Sequence, residues 1–373
     1  MQRRNNWLTL ATLVGGCILA GAASASQTTL ANWNIQTLTY PGDPKTVFPD
    51  DYRRTAQDFA DLVKWRDLAA ADIFLLQEVT SPAAIDAIFP AAQGWKHCIS
   101  GQYSKDEGGP AQPICTEFGG VAARPAGDSR TQYTGVAIRT GSAAKIEAVN
   151  DVPSLNVPTK TDGQVRSVRW GLDVTLSIGT ERLHVLVVHL KSGCFDDRLF
   201  PGEFLEDPTG KEPSSSSCVV LARQLFPLRA WIEAREREAS AWMIVGDFNR
   251  RLDSGSGSFQ DEVWSALSGY APRRDANSGT LVDTDGRVDV PLFRAPYKEA
   301  SLCWREMREP FPSSLAAADD YNILPIEFFL YGNRAKPLVI AASSRQIPWP
   351  SPVAADMTRL SDHCPKTIRI EAK

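Results

Sequence analysis

The sequence predicts an α/β (α+β) sandwich: two packed, mixed β-sheets flanked by helices. Three observations lead to it. Val168 to Ile178 alternates apolar with polar or small side chains, the period of a half-buried strand. Several shorter runs are apolar throughout, which suits interior strands covered on both faces. Between these lie stretches with apolar residues at helical spacing. The chain has 373 residues, room for one large domain or two average ones, and its 43% hydrophobic content can fill a large core. Gly- and Pro-rich stretches at 101–127, 200–217 and 253–259 read as surface loops that do not divide two cores. No internal repeat is present, so one domain is expected over 26–373.

The elements follow in chain order. Residues 1–25 read as a secretory signal peptide: Arg3 and Arg4 open it, Trp7 to Ala20 is mostly apolar, and Ala23-Ser24-Ala25 fits a cleavage site. Val14-Gly15-Gly16-Cys17 offers an alternative, a lipoprotein-type site with Cys17 as the lipid anchor. No other segment is apolar enough to span a bilayer. Ala56, Phe59, Leu62, Val63 and Ala70 recur at helical spacing. Ile73 to Leu76, Val136 to Ile138 and Met243 to Val245 read as interior strands. The alternating strand ends at Gly179-Thr180-Glu181, a turn into Leu183 to Leu190, and so predicts a hairpin. Val219 to Arg237 reads as a second helix, with Pro227 expected to kink or bound it.

Charge and cysteine content bound the partners. Loss of the leader with Arg3 and Arg4 leaves 38 basic residues against 44 acidic ones, a net charge of −6. That total disfavours tight non-specific nucleic-acid binding, although a local basic groove suffices. It also leaves six cysteines, an even number that suggests disulfides in an oxidising compartment. Cys194 with Cys218, flanking a polar insert, is the first pairing expected, then Cys98 with Cys115, leaving Cys303 with Cys364. No Cys/His cluster suggests zinc.

Five places end apolar strands with polar side chains. They are Asn32-Trp33-Asn34, Gln77-Glu78, His189, Gly246-Asp247-Phe248-Asn249 and Ser361-Asp362-His363. Side chains two apart on an extended segment share a face, so Asp247 and Asn249 can point into one site. Taken singly, each has a bland reading: a turn, a solvated carboxylate or a structural histidine. Two of only four histidines fall at such positions, and it is the joint occurrence that points to chemistry.

In this order and at these distances the five motifs resemble the signature series of the endonuclease/exonuclease/phosphatase superfamily, whose metal-dependent members include deoxyribonucleases. The resemblance runs from residue 32 to 364. It implies a four-layered sandwich with the strand-end residues gathered at one edge. It also implies a divalent cation, magnesium with manganese or calcium as alternatives, held by Glu78 with Asn34 and Asp362 beside it. A hard cation with oxygen ligands, waters and a substrate phosphate suits such a set. By the same resemblance His363 works with the attacking water and His189 protonates the leaving oxygen. Asp247 and Asn249 position the water and bind a phosphate oxygen. One departure stands out: the family carries an aspartate that orients the last histidine, whereas Pro325-Ile326-Glu327-Phe328 offers a glutamate. Glu327 either takes that role with an extra methylene or is a paired strand carboxylate. Arg166 and Arg169 are candidates for charge near the scissile phosphate. Tyr133 resembles a family position near the cleft and reads equally well as packing.

The implied function is an exported metal-dependent phosphodiesterase acting on DNA or RNA, close to extracellular deoxyribonucleases. A sphingomyelinase-like or other small phosphoester hydrolase is the second reading. A binding module with a dead site is the third, and it is disfavoured because Glu78, His189, Asp247, Asn249, Asp362 and His363 are all present.

Overall fold

The computed structural model describes residues 26–40, 54–116, 132–161, 164–194, 199, 217–250, 252, 262–268, 273–274, 281–282, 290–295, 326–349 and 360–372. Residues 1–25 with Cys17, Cys303 and most of the insert between Cys194 and Cys218 lie outside them. In chain order the elements are β1 (Ser26–Leu38), α1 (Ala56–Ala69), β2 (Ile73–Val79), α2 (Pro82–Ile88), β3 (Trp95–Ile99), α3 (Gly101–Asp106), β4 (Ile114–Cys115) and β5 (Tyr133–Arg139). There follow β6 (Ala144–Val152), β7 (Thr159–Thr161), β8 (Gln164–Arg166), β9 (Gly171–Ile178), β10 (Glu181–His189), α4 (Ser217–Arg237) and β11 (Ala241–Asp247). The last are α5 (Glu262–Ser268), β12 (Arg273–Arg274), β13 (Leu281–Val282), β14 (Leu292–Arg294), β15 (Glu327–Gly332), β16 (Val339–Gln346) and β17 (Lys366–Ala372).

Among the described residues the strands form two large mixed sheets, ordered β16-β17-β1-β2-β5-β3-β4 and β14-β15-β11-β10-β9-β6. The short pairs β7–β8 and β12–β13 stand apart. The interior runs are apolar throughout because each strand is covered twice. In β2, Ile73 and Leu75 face the second sheet, while Phe74 and Leu76 face α1 and α2. In β10 and β11, Val185, Val187, Met243 and Val245 fill the space between the sheets. Leu186, Val188, Trp242 and Ile244 meet α4 and α5 on the other side. The result is four layers, helix, sheet, sheet, helix.

The expected hairpin is β9–β10, antiparallel about Gly179-Thr180. The chain stays helical through Pro227 instead of breaking there. The expected loop over 101–127 contains α3 and β4 in its described part, capped and paired by local bonds. Ser100 Oγ caps α3, and Asp151 accepts from Ser100 Oγ and Gly101 N. Cys98–Cys115 and Cys194–Cys218 are disulfides, as expected. The third pairing falls outside the described residues. No helix among the described residues is long and apolar enough to cross a membrane.

One buried histidine makes stability depend on pH. His97 is fully enclosed, its ring nitrogens lack hydrogen bonds, and Asp86 Oδ1 stays 3.6 Å away. Burial lowers its pKa despite the nearby Asp86. The unfolded chain takes up this proton near pH ~6.5 and the folded chain resists it, so stability is full above that pH and falls below it. Thermal melts from pH 7.5 to 5.5 should show a shallower decline for His97→Gln than for the parent protein.

Candidate functional site

The parallel pairs β1–β2 and β10–β11 end at the same edge of the sandwich, and this edge gathers the strand-end residues. His189, Asp247 and Glu327 lie in a single row across β10, β11 and β15, since His189 pairs with Asp247 and Asp247 with Glu327. The first sheet contributes Asn34 from β1, Glu78 from β2 and the Ser361-Asp362-His363 turn before β17. Of these, Glu78, His189, Asp247, Asp362 and His363 line a cleft of about 220 Å³ with Gln36, Thr37, Gln132, Arg169, Ser192 and Asn249.

The backbone around this cleft is strained. Six non-glycine residues among those described have positive φ. Ala70 and Ala239 sit at helix C-termini, where the left-handed turn ends the helix. The other four are Gln36, Thr37, Glu78 and Asn249, with φ of 42°, 54°, 62° and 51°, and all line the cleft. Each costs on the order of 1–2 kcal/mol, and such outliers persist where the surroundings over-determine them. Gly246 marks another tight spot. A Cβ there, at φ 152°, would lie 1.9 Å from Val188 O, so the closeness of β10 and β11 demands glycine before Asp247.

Arg54 supplies part of that over-determination. Its guanidinium donates to Ile35 O, Gln36 O, Thr37 O and Leu360 O at 2.7–2.9 Å. One side chain therefore ties the kink of β1 to the turn carrying Asp362 and His363. Ser361 Oγ donates to Asn34 O, and Asp362 N donates to Gln36 Oε1, closing the same seam. Burial lowers the Arg54 pKa to about 10 against the pull of Asp58, Glu78 and Asp362, so it stays charged at neutral pH. Arg54→Met strands these carbonyls and should cost about 2–4 kcal/mol. Arg54→Lys, with one donor head, should fall between. Denaturant midpoints check both.

The carboxylates and imidazoles interlock. Asp247 Oδ1 accepts from Asn249 N at 2.8 Å, and Oδ2 from Asn34 Nδ2 at 3.0 Å. Oδ2 also faces both rings, 3.7 Å from His189 Nε2 and 4.0 Å from His363 Nε2. Glu78 Oε1 lies 3.7 Å from His189 Nε2. His363 Nδ1 is hydrogen-bonded to Glu327 Oε1, while Lys366 Nζ donates to Glu327 Oε2. The longer glutamate arm thus lies between an imidazole and a buried lysine.

The electrostatics follow from burial and charge. Burial pushes Asp247 up to about 6, against the pull of His363 and with Glu327 adding repulsion. Burial would raise Glu327 too, yet Lys366 and His363 hold it well below the usual carboxylate range. Burial opposes protonation of His363, but Asp362, Glu327 and Asp247 raise it to about 10. His189 is lowered by burial and then by Arg169, His363 and Lys191. A divalent cation among these carboxylates would itself oppose protonation of His363.

Two expected site residues have protein partners in this structure. Asn34, expected as a metal ligand, turns its amide nitrogen to Glu78 Oε1 and Asp247 Oδ2, while its Oδ1 accepts from Gln36 N. Tyr133, considered for substrate, is fully buried; its hydroxyl donates to Asp106 Oδ2 and its ring stands edge-on to Tyr103. Arg166 falls on β8, and its side chain lies outside the described structure. Arg169 is the arginine that lines the cleft.

Sequence reading missed Gln36, Thr37, Gln132, Arg54 and Lys366. Only Lys366 left a trace, a charge on the face that Ile368 and Ile370 share in the alternating strand Lys366-Thr367-Ile368-Arg369-Ile370. Among the described residues no group of three or more His, Cys, Asp or Glu side chains is placed to hold a metal ion by itself. The donors present fit an open oxygen site of the magnesium type, in which one or two carboxylates share the ion with water and substrate.

No family model and no curated protein matches the sequence. Among solved structures, the chain is similar to an endonuclease/exonuclease/phosphatase family protein from Bacteroides thetaiotaomicron. The identity is 13%, over 94% of this chain and 100% of that one, with a TM-score of 0.49. It is similar to the human Nocturnin catalytic domain at 12% identity, over 92% of this chain and 94% of that one, TM-score 0.46. It is also similar to TDP2 from C. elegans at 13% identity, over 94% of this chain and 77% of that one, TM-score 0.46.

Proposed function

We propose that the chain is an exported, divalent-metal-dependent phosphodiesterase with nucleic acid as its substrate class. The observation that carries the reading is the convergence of Glu78, His189, Asp247, Asn249, Asp362 and the Glu327–His363 pair on one cleft whose backbone is strained at four lining residues. Export after removal of residues 1–25 is supported by the two disulfides, which persist in oxidising compartments.

Glu78 and Asp362 would hold the cation, which would polarise the phosphoryl oxygen and offset negative charge in the transition state. Asn34 keeps Glu78 and Asp247 in register by donating to both. Asp247, fixed by Asn249 N, accepts a hydrogen bond from the attacking water. Glu327 fixes the His363 tautomer through Nδ1, leaving Nε2 to exchange a proton with that water. Water oxygen bonds to phosphorus and its proton passes to His363 Nε2, the bond from phosphorus to the leaving oxygen breaks, and His189, protonated once the bound phosphate offsets the charge of Arg169 and Lys191, delivers a proton from Nε2 to that oxygen. Arg169 and Lys191 put positive charge on the His189 side of the cleft, which favours a polyanionic substrate.

Plasmid DNA, total RNA, bis-p-nitrophenyl phosphate and sphingomyelin should be offered to the protein with Mg²⁺ and with EDTA. Metal-dependent cleavage of DNA or RNA is expected. Activity confined to the lipid or the small diester would discard nucleic acid as substrate, and no activity on any of them would discard the enzyme.

A further inference from the structure

Gln132 lines the cleft but has no part in the reaction as proposed. It stands one residue before β5, between the carboxylate of Glu78 and the guanidinium of Arg169. Its Nε2 lies 2.6 Å from Glu78 Oε2 and 2.6 Å from Thr37 Oγ1. Its Oε1 accepts from Arg169 Nη2. A primary amide has donors at one end and an acceptor at the other, so it can satisfy an anion and a cation at once without carrying charge. Glu78 Oε2 takes two further bonds from Thr37, from N at 2.9 Å and from Oγ1 at 3.3 Å. Oε1 is left facing Asn34 Nδ2 at 3.2 Å and His189 Nε2.

We infer that Gln132 is a positioning residue, a neutral spacer that orients Glu78 for a divalent cation and keeps Arg169 from pairing with it. The inference rests on the reading of Glu78 as the cation's ligand. Arg169 is close enough for Glu78 to act on its charge. Without the amide between them, arginine and carboxylate are free to form a direct charge-assisted pair, which would compete with the cation for the same oxygens. A lysine or arginine at 132 would orient Glu78 but neutralise it. A methionine would fill the space and bond to neither neighbour.

The test is Mn²⁺ binding by calorimetry, without substrate, on the full chain. Gln132→Met should weaken binding by ~10–100-fold, the range found when an outer-shell partner is lost. Adding Arg169→Met to that variant should restore most of the loss, because the competing cation is gone. A merely structural role for Gln132 would show no such recovery. Wild-type affinity in Gln132→Met, or no recovery in the double variant, overturns the inference. Melting temperatures in EDTA report the fold of each variant, and Gln132→Asn, which keeps an amide but shortens its reach, provides the same reading should Gln132→Met fold poorly. Glu78→Ala separates the two claims: if it binds Mn²⁺ like the wild type, the assignment of Glu78 itself is wrong.

Discussion

His189→Ala is expected to slow hydrolysis of a nucleic-acid diester by about 10²–10⁴-fold, the range for loss of a general acid or base. The fold should survive. The ring is buried, but its Nδ1 has no hydrogen bond among the described residues and its Nε2 stays 3.7 Å from the nearest carboxylate oxygens. Substrate choice makes the prediction specific. A nucleoside alkoxide needs a proton to leave, whereas p-nitrophenolate leaves readily without one. The loss should therefore be much smaller on bis-p-nitrophenyl phosphate than on DNA. Equal losses on both substrates would remove His189 from the leaving-group step.

Glu327→Leu should destabilise the protein by about 3–5 kcal/mol, because it removes one partner of a buried ion pair. Glu327 and Lys366 are both buried, and Lys366 Nζ donates to Glu327 Oε2. Leucine takes that acceptor away from a buried ammonium. Replacing both, Glu327→Leu with Lys366→Met, should recover most of the stability, since well-packed apolar pairs often match a buried ion pair. Activity should not recover, because His363 Nδ1 still lacks the carboxylate that fixes its tautomer. Urea midpoints and initial rates on the two variants separate the roles. A double variant that regained full activity would make Glu327 a purely structural carboxylate.

The layers of this fold were legible because each interior strand is covered on two faces. Ile73 to Leu76 and Met243 to Val245 could be recognised as strands from their unbroken apolar character, and the change from apolar to polar at their ends exposed Glu78 and Asp247. The supporting residues were not legible. Arg54 acts by reaching Leu360, more than three hundred positions away, and nothing in its neighbourhood marks it. Gln132 and Thr37 matter only through a carboxylate brought to them by β-sheet pairing. Tyr133 was ambiguous because a strand's first residue can face either side. Here its hydroxyl meets Asp106 on α3, a helix hidden in a Gly-rich stretch. The Glu327 substitution was visible, but its lysine partner became meaningful only when β17 was laid beside β1.

The central claim is that a cation held at Glu78 drives phosphodiester hydrolysis in this cleft. The most direct measurement is the initial rate of bis-p-nitrophenyl phosphate hydrolysis by the wild type and Glu78→Ala, each in saturating Mg²⁺ and in excess EDTA. The wild type should be active in Mg²⁺ and silent in EDTA, and Glu78→Ala should be slower by about 10²-fold or more even in saturating metal. A Glu78→Ala variant as fast as the wild type, or a wild type indifferent to EDTA, would contradict the account.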